Sequence, residues 1–221
     1  MMPGRLTRFL GIRFRCFGRD ECGVSAVEFA LILPMMITLY VCGIEISQAI
    51  SASRKVTLVS RTIADLVSQE ASITDAAMTN IMDAATAVAV PFTATRKTST
   101  GTEEAALTVT ISGVKIDANG VAKIAWADTL TGKKQDLPGT TVHKEGDTVT
   151  FATCTACTKD QKPLDTPDTT LIWADVSYSW KPIVNFQGVL PSQIVLKDQI
   201  FMRPRVTTCI TRVYASKTIS C

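Results

Sequence analysis

The hydrophobic pattern begins with one long apolar run near the start of the chain. Residues 29–44 contain no charged side chain, and residues 46–53 are again uncharged after Glu45. About 20 apolar residues in a helix are enough to cross the hydrocarbon core of a bilayer. The run therefore predicts a transmembrane helix, in which Pro34 bends or loosens the backbone without ending it. We expect Glu45, near the far end of the run, to be solvated.

Helical spacing continues beyond this run, but there it becomes amphipathic. Apolar residues recur at helical intervals, at Val56, Val59, Ile63, Leu66 and Val67. Charged residues lie between them, at Arg54, Lys55, Arg61 and Asp65. An amphipathic stripe of this kind indicates a helix with one face against a folded core. The pattern predicts one helix from residue 24 to about residue 70.

A second helix is predicted over residues 72–90. Thr74 is a suitable N-cap, and Pro91 lies just beyond the predicted end. The apolar face of this helix comprises Met78, Ile81, Met82, Ala85 and Val88. Residues 96–101 then have the composition of a loop.

In the second half of the chain the apolar period falls to two, which is typical of strands. Alternation at 107–111 and 122–126, with Asn119-Gly120 between them, predicts a hairpin. Further strands are predicted at 148–152, 172–180, 194–196 and 200–213, with an edge or a bend at Pro204. The polar residues 128–147 predict a surface loop. The fold class is therefore α+β: a single N-terminal transmembrane helix continues into an amphipathic helix packed on a mainly antiparallel β-sheet.

The distribution of charge adds a direction to the predicted membrane span. No acidic residue precedes Asp20, and the arginines before it are Arg5, Arg8, Arg13, Arg15 and Arg19. The positive-inside rule then places the N-terminus in the cytoplasm. We expect a basic cytoplasmic leader at 1–23, a transmembrane helix at 24–50 and an exported α+β domain at 51–221. The net charge of +3 is too small to argue for nucleic acid as a partner.

Two other targeting signals fit the run poorly. A cleavable secretory signal has an apolar core of about 7–15 residues followed by a small-residue cleavage site. The run here is longer, and residues 46–49 (ISQA) fit that site poorly. A lipoprotein signal places its cysteine after the apolar run, whereas Cys22 precedes it.

The junction between leader and run carries the most informative residues. Gly23 separates the arginine-rich segment from the apolar residues, and Glu28 lies five positions later. A carboxylate in hydrocarbon costs about 2.5–3.5 kcal/mol, so it usually has a function or a partner. This is the layout of a type IV prepilin signal, in which a peptidase cuts between Gly23 and Val24 and the glutamate serves assembly. The alternative is that Glu28 snorkels to the membrane interface.

The cysteines agree with an exported domain. After the membrane run the chain contains Cys154, Cys157, Cys209 and Cys221, an even number in an oxidising compartment. Four cysteines allow three pairings, and we favour 154–157 with 209–221 because each pair is close in sequence. The spacing of Cys154 and Cys157 also fits a redox site or half a zinc site, but zinc would need two further ligands.

The search for catalytic motifs is mostly negative. There is no Gly-rich phosphate loop before a helix, no GxSxG, no HExxH and no paired CxxC set. His143, the single histidine, lies in a polar segment with no nucleophile nearby, which predicts a solvated loop residue. Trp126, Trp173, Trp180 and Tyr178 could stack on a sugar or base, but two of the tryptophans and the tyrosine fall on apolar strand faces, which favours core packing. We expect a protein that is not an enzyme and has no cofactor and no metal.

The stretch from Gly23 to Leu31 (GVSAVEFAL), with Pro34, resembles the N-terminus of the TadE/TadG-like pilus assembly proteins. These are pseudopilins of the tight-adherence (Flp pilus) system. The similarity covers about residues 20–67 and includes residues 58–66 (LVSRTIADL). Weaker similarity to the same group is found in Trp173, in 178–180 (YSW) and in 203–205 (RPR).

The resemblance implies a pilin-like fold and a minor, pseudopilin component that assists assembly of a Flp-type pilus. It implies processing between Gly23 and Val24 and an assembly role for Glu28 and Phe29. The implied partners are the membrane, a prepilin peptidase, other pilin-like subunits and the pilus secretion machinery. The implied location is the bacterial inner membrane, single-pass, with a periplasmic C-terminal domain and an association with the pilus.

One departure from the family pattern changes the assignment. Major Flp pilins are much shorter and commonly carry tyrosine after the glutamate. This chain has Phe29 and a large exported domain, so it is not the major subunit. An unprocessed, membrane-anchored binding module or adhesin is the alternative function, and removal of the leader distinguishes the two. An anchored enzyme is disfavoured because the sequence offers no site.

Overall fold

The computed structural model describes residues 22–98, 100–119, 121–137, 143–150, 169–182 and 192–219. The helices are α1 (Cys22–Ser68) and α2 (Asp75–Ala89). The strands are β1 (Ser72–Thr74), β2 (Thr95–Lys97), β3 (Glu103–Ala105), β4 (Leu107–Ile116), β5 (Ala122–Thr131), β6 (Lys134–Asp136), β7 (Thr148–Val149), β8 (Thr170–Trp180), β9 (Ile194–Met202), β10 (Thr211–Val213) and β11 (Thr218–Ile219). The leader up to residue 21 lies outside the described residues, as do Cys154, Cys157 and Cys221.

The chain divides into two compact units, Met1–Ser47 and Gln48–Cys221. The described part of the first unit is the beginning of α1. That helix is long and apolar enough from Val24 onwards to cross a membrane, which confirms the predicted anchor helix. Glu45 is only 6% exposed, so the expectation that it would be solvated was wrong. The predicted boundaries at residues 23 and 50 remain predictions.

In the second unit the outer part of α1 packs as its amphipathic pattern predicts. Its buried residues join the main hydrophobic core at helical intervals, at Ala52, Val56, Val59, Ile63 and Val67. Leu66 is only partly buried, at the edge of the predicted face. Burying each large aliphatic side chain contributes roughly 1.5–3 kcal/mol, so this face alone is a strong attachment of the helix to the domain.

The second helix also forms close to its predicted limits. The Thr74 hydroxyl accepts a hydrogen bond from the backbone N–H of Ala77 at 3.3 Å, as expected of an N-cap. The helix ends before Val90, whose N–H donates to the Ala87 carbonyl. Its buried residues Met78, Ile81, Met82, Ala85 and Ala89 face the same core as α1.

The main sheet is antiparallel, with strand order β6-β5-β4-β8-β9 and with β7 paired to β5. The predicted hairpin is β4–β5. The Asp117 carboxylate accepts the N–H groups of Asn119 and Val121 at 2.9 Å and so closes its turn. Two smaller sheets complete the described fold, β2-β3 and β1-β10-β11. Helices against a mainly antiparallel sheet confirm the α+β class.

Two segments predicted as loops contain strands. Residues 96–101 overlap β2, and residues 128–147 contain the end of β5, all of β6 and the start of the turn that precedes β7. Asp128 and Thr129 are fully buried in β5. The prediction failed because polarity was equated with exposure, whereas buried polar groups are stable when they are hydrogen-bonded.

The C-terminal strand region is shorter than predicted. Residues 203–210 are irregular between β9 and β10. Cys209 in this stretch is disulfide-bonded, whereas Cys154, Cys157 and Cys221 are not among the described residues. The two favoured pairings therefore stay predictions.

Gly113 is required by the position of Trp126. A Cβ placed on Gly113 would lie 2.5 Å from Cε2 of the Trp126 indole, with Cδ1 at 3.0 Å. The indole is 1% exposed and cannot move into solvent without opening the core. Only a residue without a side chain fits between β4 and this ring.

We predict that Gly113→Ala lowers the free energy of unfolding by about 1–3 kcal/mol, because overpacking forces the indole off its position. Denaturant unfolding of the detergent-solubilised full chain measures this change. The control is the same substitution in a Trp126→Leu background, where the obstructing ring is gone. An equal loss in both backgrounds would show that Trp126 is not the cause.

Candidate functional site

The first part of α1 exposes its side chains on all sides of the helix. Every described side chain from residue 24 to residue 40 is exposed, including Glu28. Val24, four residues before the predicted assembly glutamate, and Phe29, directly after it, are 60% and 59% exposed. A continuous exposed apolar surface of this size indicates contact with lipid or with another protein chain.

The predicted cleavage bond lies in the first turn of α1. The helix begins at Cys22, so Gly23 and Val24 follow immediately. The first backbone N–H groups of a helix have no acceptor within it. No acidic residue lies in this first turn, and Glu28 follows one turn after Val24, a rise of about 6 Å.

Pro34 is accommodated within α1, as predicted. Proline lacks a backbone N–H and cannot donate to the carbonyl four residues earlier. The Thr38 hydroxyl donates to the Pro34 carbonyl at 2.8 Å, adding a local bond next to the site of this loss. The helix continues unbroken to Ser68.

In the second unit, a fully buried arginine connects several elements. Arg212 Nε donates to the Asp128 carboxylate at 2.6 Å, and its Nη2 lies 2.8 Å from Asp75. Its Nη1 donates to the Ile73 carbonyl at 3.1 Å. The guanidinium also lies over the Tyr214 ring, at 4.1 Å from the centroid. The cluster joins β10 to β5, to β1 and to the first turn of α2.

Burial sets the electrostatics of this cluster. It raises the pKa of the Asp128 carboxyl, against the opposing effect of Arg212. It also raises the pKa of the Tyr214 hydroxyl. The Arg212–Asp128 pair at its centre is fully buried and has a structural use, because a buried ion pair is stable only while the strands that hold both partners stay assembled.

His143 is not the solvated residue that the sequence predicts. It is 5% exposed, and its Nδ1 lies 2.6 Å from the Ser112 hydroxyl oxygen. Its Nε2 lies 3.7 Å from the Asp175 carboxylate, and its ring stacks on Trp173 at 3.7 Å. Trp173 in turn stacks on Phe201 at 5.2 Å. The residue therefore attaches the segment before β7 to the sheet face opposite the helices.

Ser112, His143 and Asp175 are the residue types of a serine hydrolase, but their geometry does not suit hydrolysis. Ser112 is fully buried in β4, so its hydroxyl offers no approach to a substrate. The His143–Asp175 distance of 3.7 Å exceeds a hydrogen bond. No sequence signal could have found this contact, because His143 and Asp175 lie 31 and 63 positions after Ser112 and only the tertiary fold brings them together.

The aromatic side chains of the strands lie on two different faces of the main sheet. Trp126, Tyr178 and Trp180 are buried in the main core. Trp173 points to the opposite face and is partly buried there. The expectation of core packing is confirmed for the first three side chains.

Comparison with known proteins finds a similarity for the first helix, α1. Residues 23–65 match the family model of TadE-like proteins. No curated protein and no solved structure matches the chain. The match begins at Gly23 and ends inside α1, so it covers the anchor and most of the helix beyond it. It confirms the resemblance found in the sequence.

We predict that Arg212→Met lowers the free energy of unfolding by about 3–5 kcal/mol, because Asp128 is then buried without its cation. Chemical denaturation of the solubilised chain measures the loss. Adding Asp128→Asn should recover part of it, since the orphaned charge is removed. As a matched control, Lys181→Met breaks the exposed pair with Glu104 and should change stability little. Strictly additive losses from the two buried substitutions would contradict the coupling.

Proposed function

We propose that this chain, whose residues 23–65 form a TadE-like segment, is a minor pilin-like component that assists assembly of a Flp-type pilus. The observation that carries the proposal is a coincidence at Gly23. There the family match begins, a membrane-length helix starts, and a glutamate follows five positions later. The large exported unit supports an accessory subunit over a major pilin.

The first step of the proposal is removal of the leader by a prepilin peptidase. The basic residues before Asp20 hold the N-terminus in the cytoplasm, where the junction is presented at the membrane surface. Cleavage after Gly23 leaves Val24 with a free α-amino group. The exported domain is then periplasmic, anchored by one helix in the inner membrane.

The second step is assembly through Glu28. In a bundle of anchor helices, the α-amino group of one subunit neutralises the Glu28 carboxylate of its neighbour. Both charges are then satisfied in a medium where the attraction is strong and solvation is weak. The neighbouring Phe29, exposed in the single chain, supplies apolar contact to the same bundle.

The exported unit serves this function as a scaffold without enzymatic activity. Its buried charges and its Ser112–His143 contact are enclosed within the fold. Its surface is available to other pilin-like subunits and to the secretion machinery, while the anchor keeps it at the membrane.

We predict that the mature chain begins at Val24. N-terminal sequencing of protein purified from membranes that contain active prepilin peptidase decides this. Gly23→Leu should abolish the cut while membrane insertion continues, because a large side chain blocks the position before the scissile bond and the apolar run is unchanged. An intact leader on the unmodified chain would favour the anchored binding module.

We predict that Glu28→Gln is processed but assembles poorly, because the substitution keeps the shape and removes the charge. Glu28→Asp should be intermediate, since its shorter side chain keeps the charge but loses reach. Pilus formation and co-purification with pilin-like subunits are measured beside leader removal. Normal assembly of Glu28→Gln would mean that the carboxylate only snorkels to the interface.

A further inference from the structure

The start of α1 contains a second, overlapping signal for beginning a helix. Ser25 and Glu28 have the spacing of a capping box and are followed by the apolar run. In a capping box the serine hydroxyl accepts the N–H of the residue three positions later, and the glutamate accepts the serine N–H. In the structure, however, the helix already begins at Cys22. The Gly23–Val24 bond thus lies in the one turn that separates the two starts.

We propose that the peptidase acts on the form in which the helix begins at Ser25 and residues 22–24 are extended. This inference rests on the proposed processing of the leader. It assigns Ser25 as a positioning residue, which sets the population of the open form and does not touch the reacting atoms. The second start places the scissile bond immediately outside the helix.

The first turn of α1 is weak enough to open. Gly23 is a poor helix former and Val24 is β-branched. The turn contains no acidic side chain to stabilise the positive end of the helix. The side chains from Val24 to Val27 are exposed, so opening removes no tertiary contact in the described structure. About three helical hydrogen bonds are lost and two capping bonds replace most of them.

The chemistry of the cut requires an accessible backbone. Hydrolysis adds one water across the Gly23–Val24 amide, leaving a carboxylate on Gly23 and an amine on Val24. Proteolysis proceeds through locally opened states, and its rate follows their population when opening is fast. A residue that caps the shortened helix therefore raises the rate of cleavage without contacting the peptidase.

The test compares cleavage rates of the full-length, membrane-inserted chain by prepilin peptidase. Ser25→Ala should slow cleavage about fivefold, the effect of losing an N-cap side chain. Ser25→Thr and Ser25→Asn should stay within about twofold of the unmodified chain, because both residues cap helices. Ser53→Ala, an exposed serine of the same helix outside the junction, is the matched control and should leave the rate unchanged.

Glu28 supplies the second arm of the test. Glu28→Ala should be cleaved more slowly than Glu28→Gln, because glutamine can also close the box. Ser25→Ala with Glu28→Ala should slow cleavage by less than the product of the two single effects, since both residues serve one motif.

Three results would overturn the inference. The first is that the Ser25→Ala chain is cleaved at the same rate as the unmodified chain. The second is Ser25→Thr and Ser25→Asn as slow as Ser25→Ala, which would indicate that the peptidase reads the serine itself. The third is an unmodified chain that is never cleaved, which also removes the proposed function. If the unmodified chain is cleaved normally and Gly23→Leu is not cleaved, the proposed function stands. A failure of the Ser25 variants to behave as expected then counts against this inference alone.

Discussion

The second compact unit, Gln48–Cys221, depends on one buried cation. Arg212 compensates the Asp128 carboxylate on β5 of the main sheet, although the two residues are 84 positions apart. An uncompensated carboxylate at that depth would cost several kcal/mol, more than most single apolar contacts supply. Arg212 on β10 must therefore reach Asp128 before that carboxylate can be buried as an ion. The same guanidinium contacts Asp75 in the first turn of α2 and the Ile73 carbonyl in β1, and so connects both elements to β5.

The apolar first part of α1 is not stabilised by contacts within the chain. Its apolar side chains are exposed in the single chain, so its stabilising contacts must come from lipid or from other subunits. The second unit, by contrast, buries its apolar side chains in its own core. The match to the TadE-like family model covers residues 23–65 and ends within α1.

The predictions from sequence succeeded where periodicity and local chemistry carry the information. The two helices, the Thr74 cap and the β4–β5 hairpin each follow from residues close together in the chain. They failed at residues 128–147, where Asp128 and His143 were taken as solvent-facing because their neighbours are polar. Each finds its partner on a distant strand, and no local spacing records such a partner.

The sequence by itself determined the apolar helix of membrane length and the α+β class of the fold. These features are linear, since an apolar span and a strand alternation are both written in consecutive residues. Only the tertiary structure decided that Gly113 must leave room for Trp126, and that Arg212 and His143 lie inside the fold. Those outcomes depend on strand register, which brings together residues with no relation in sequence.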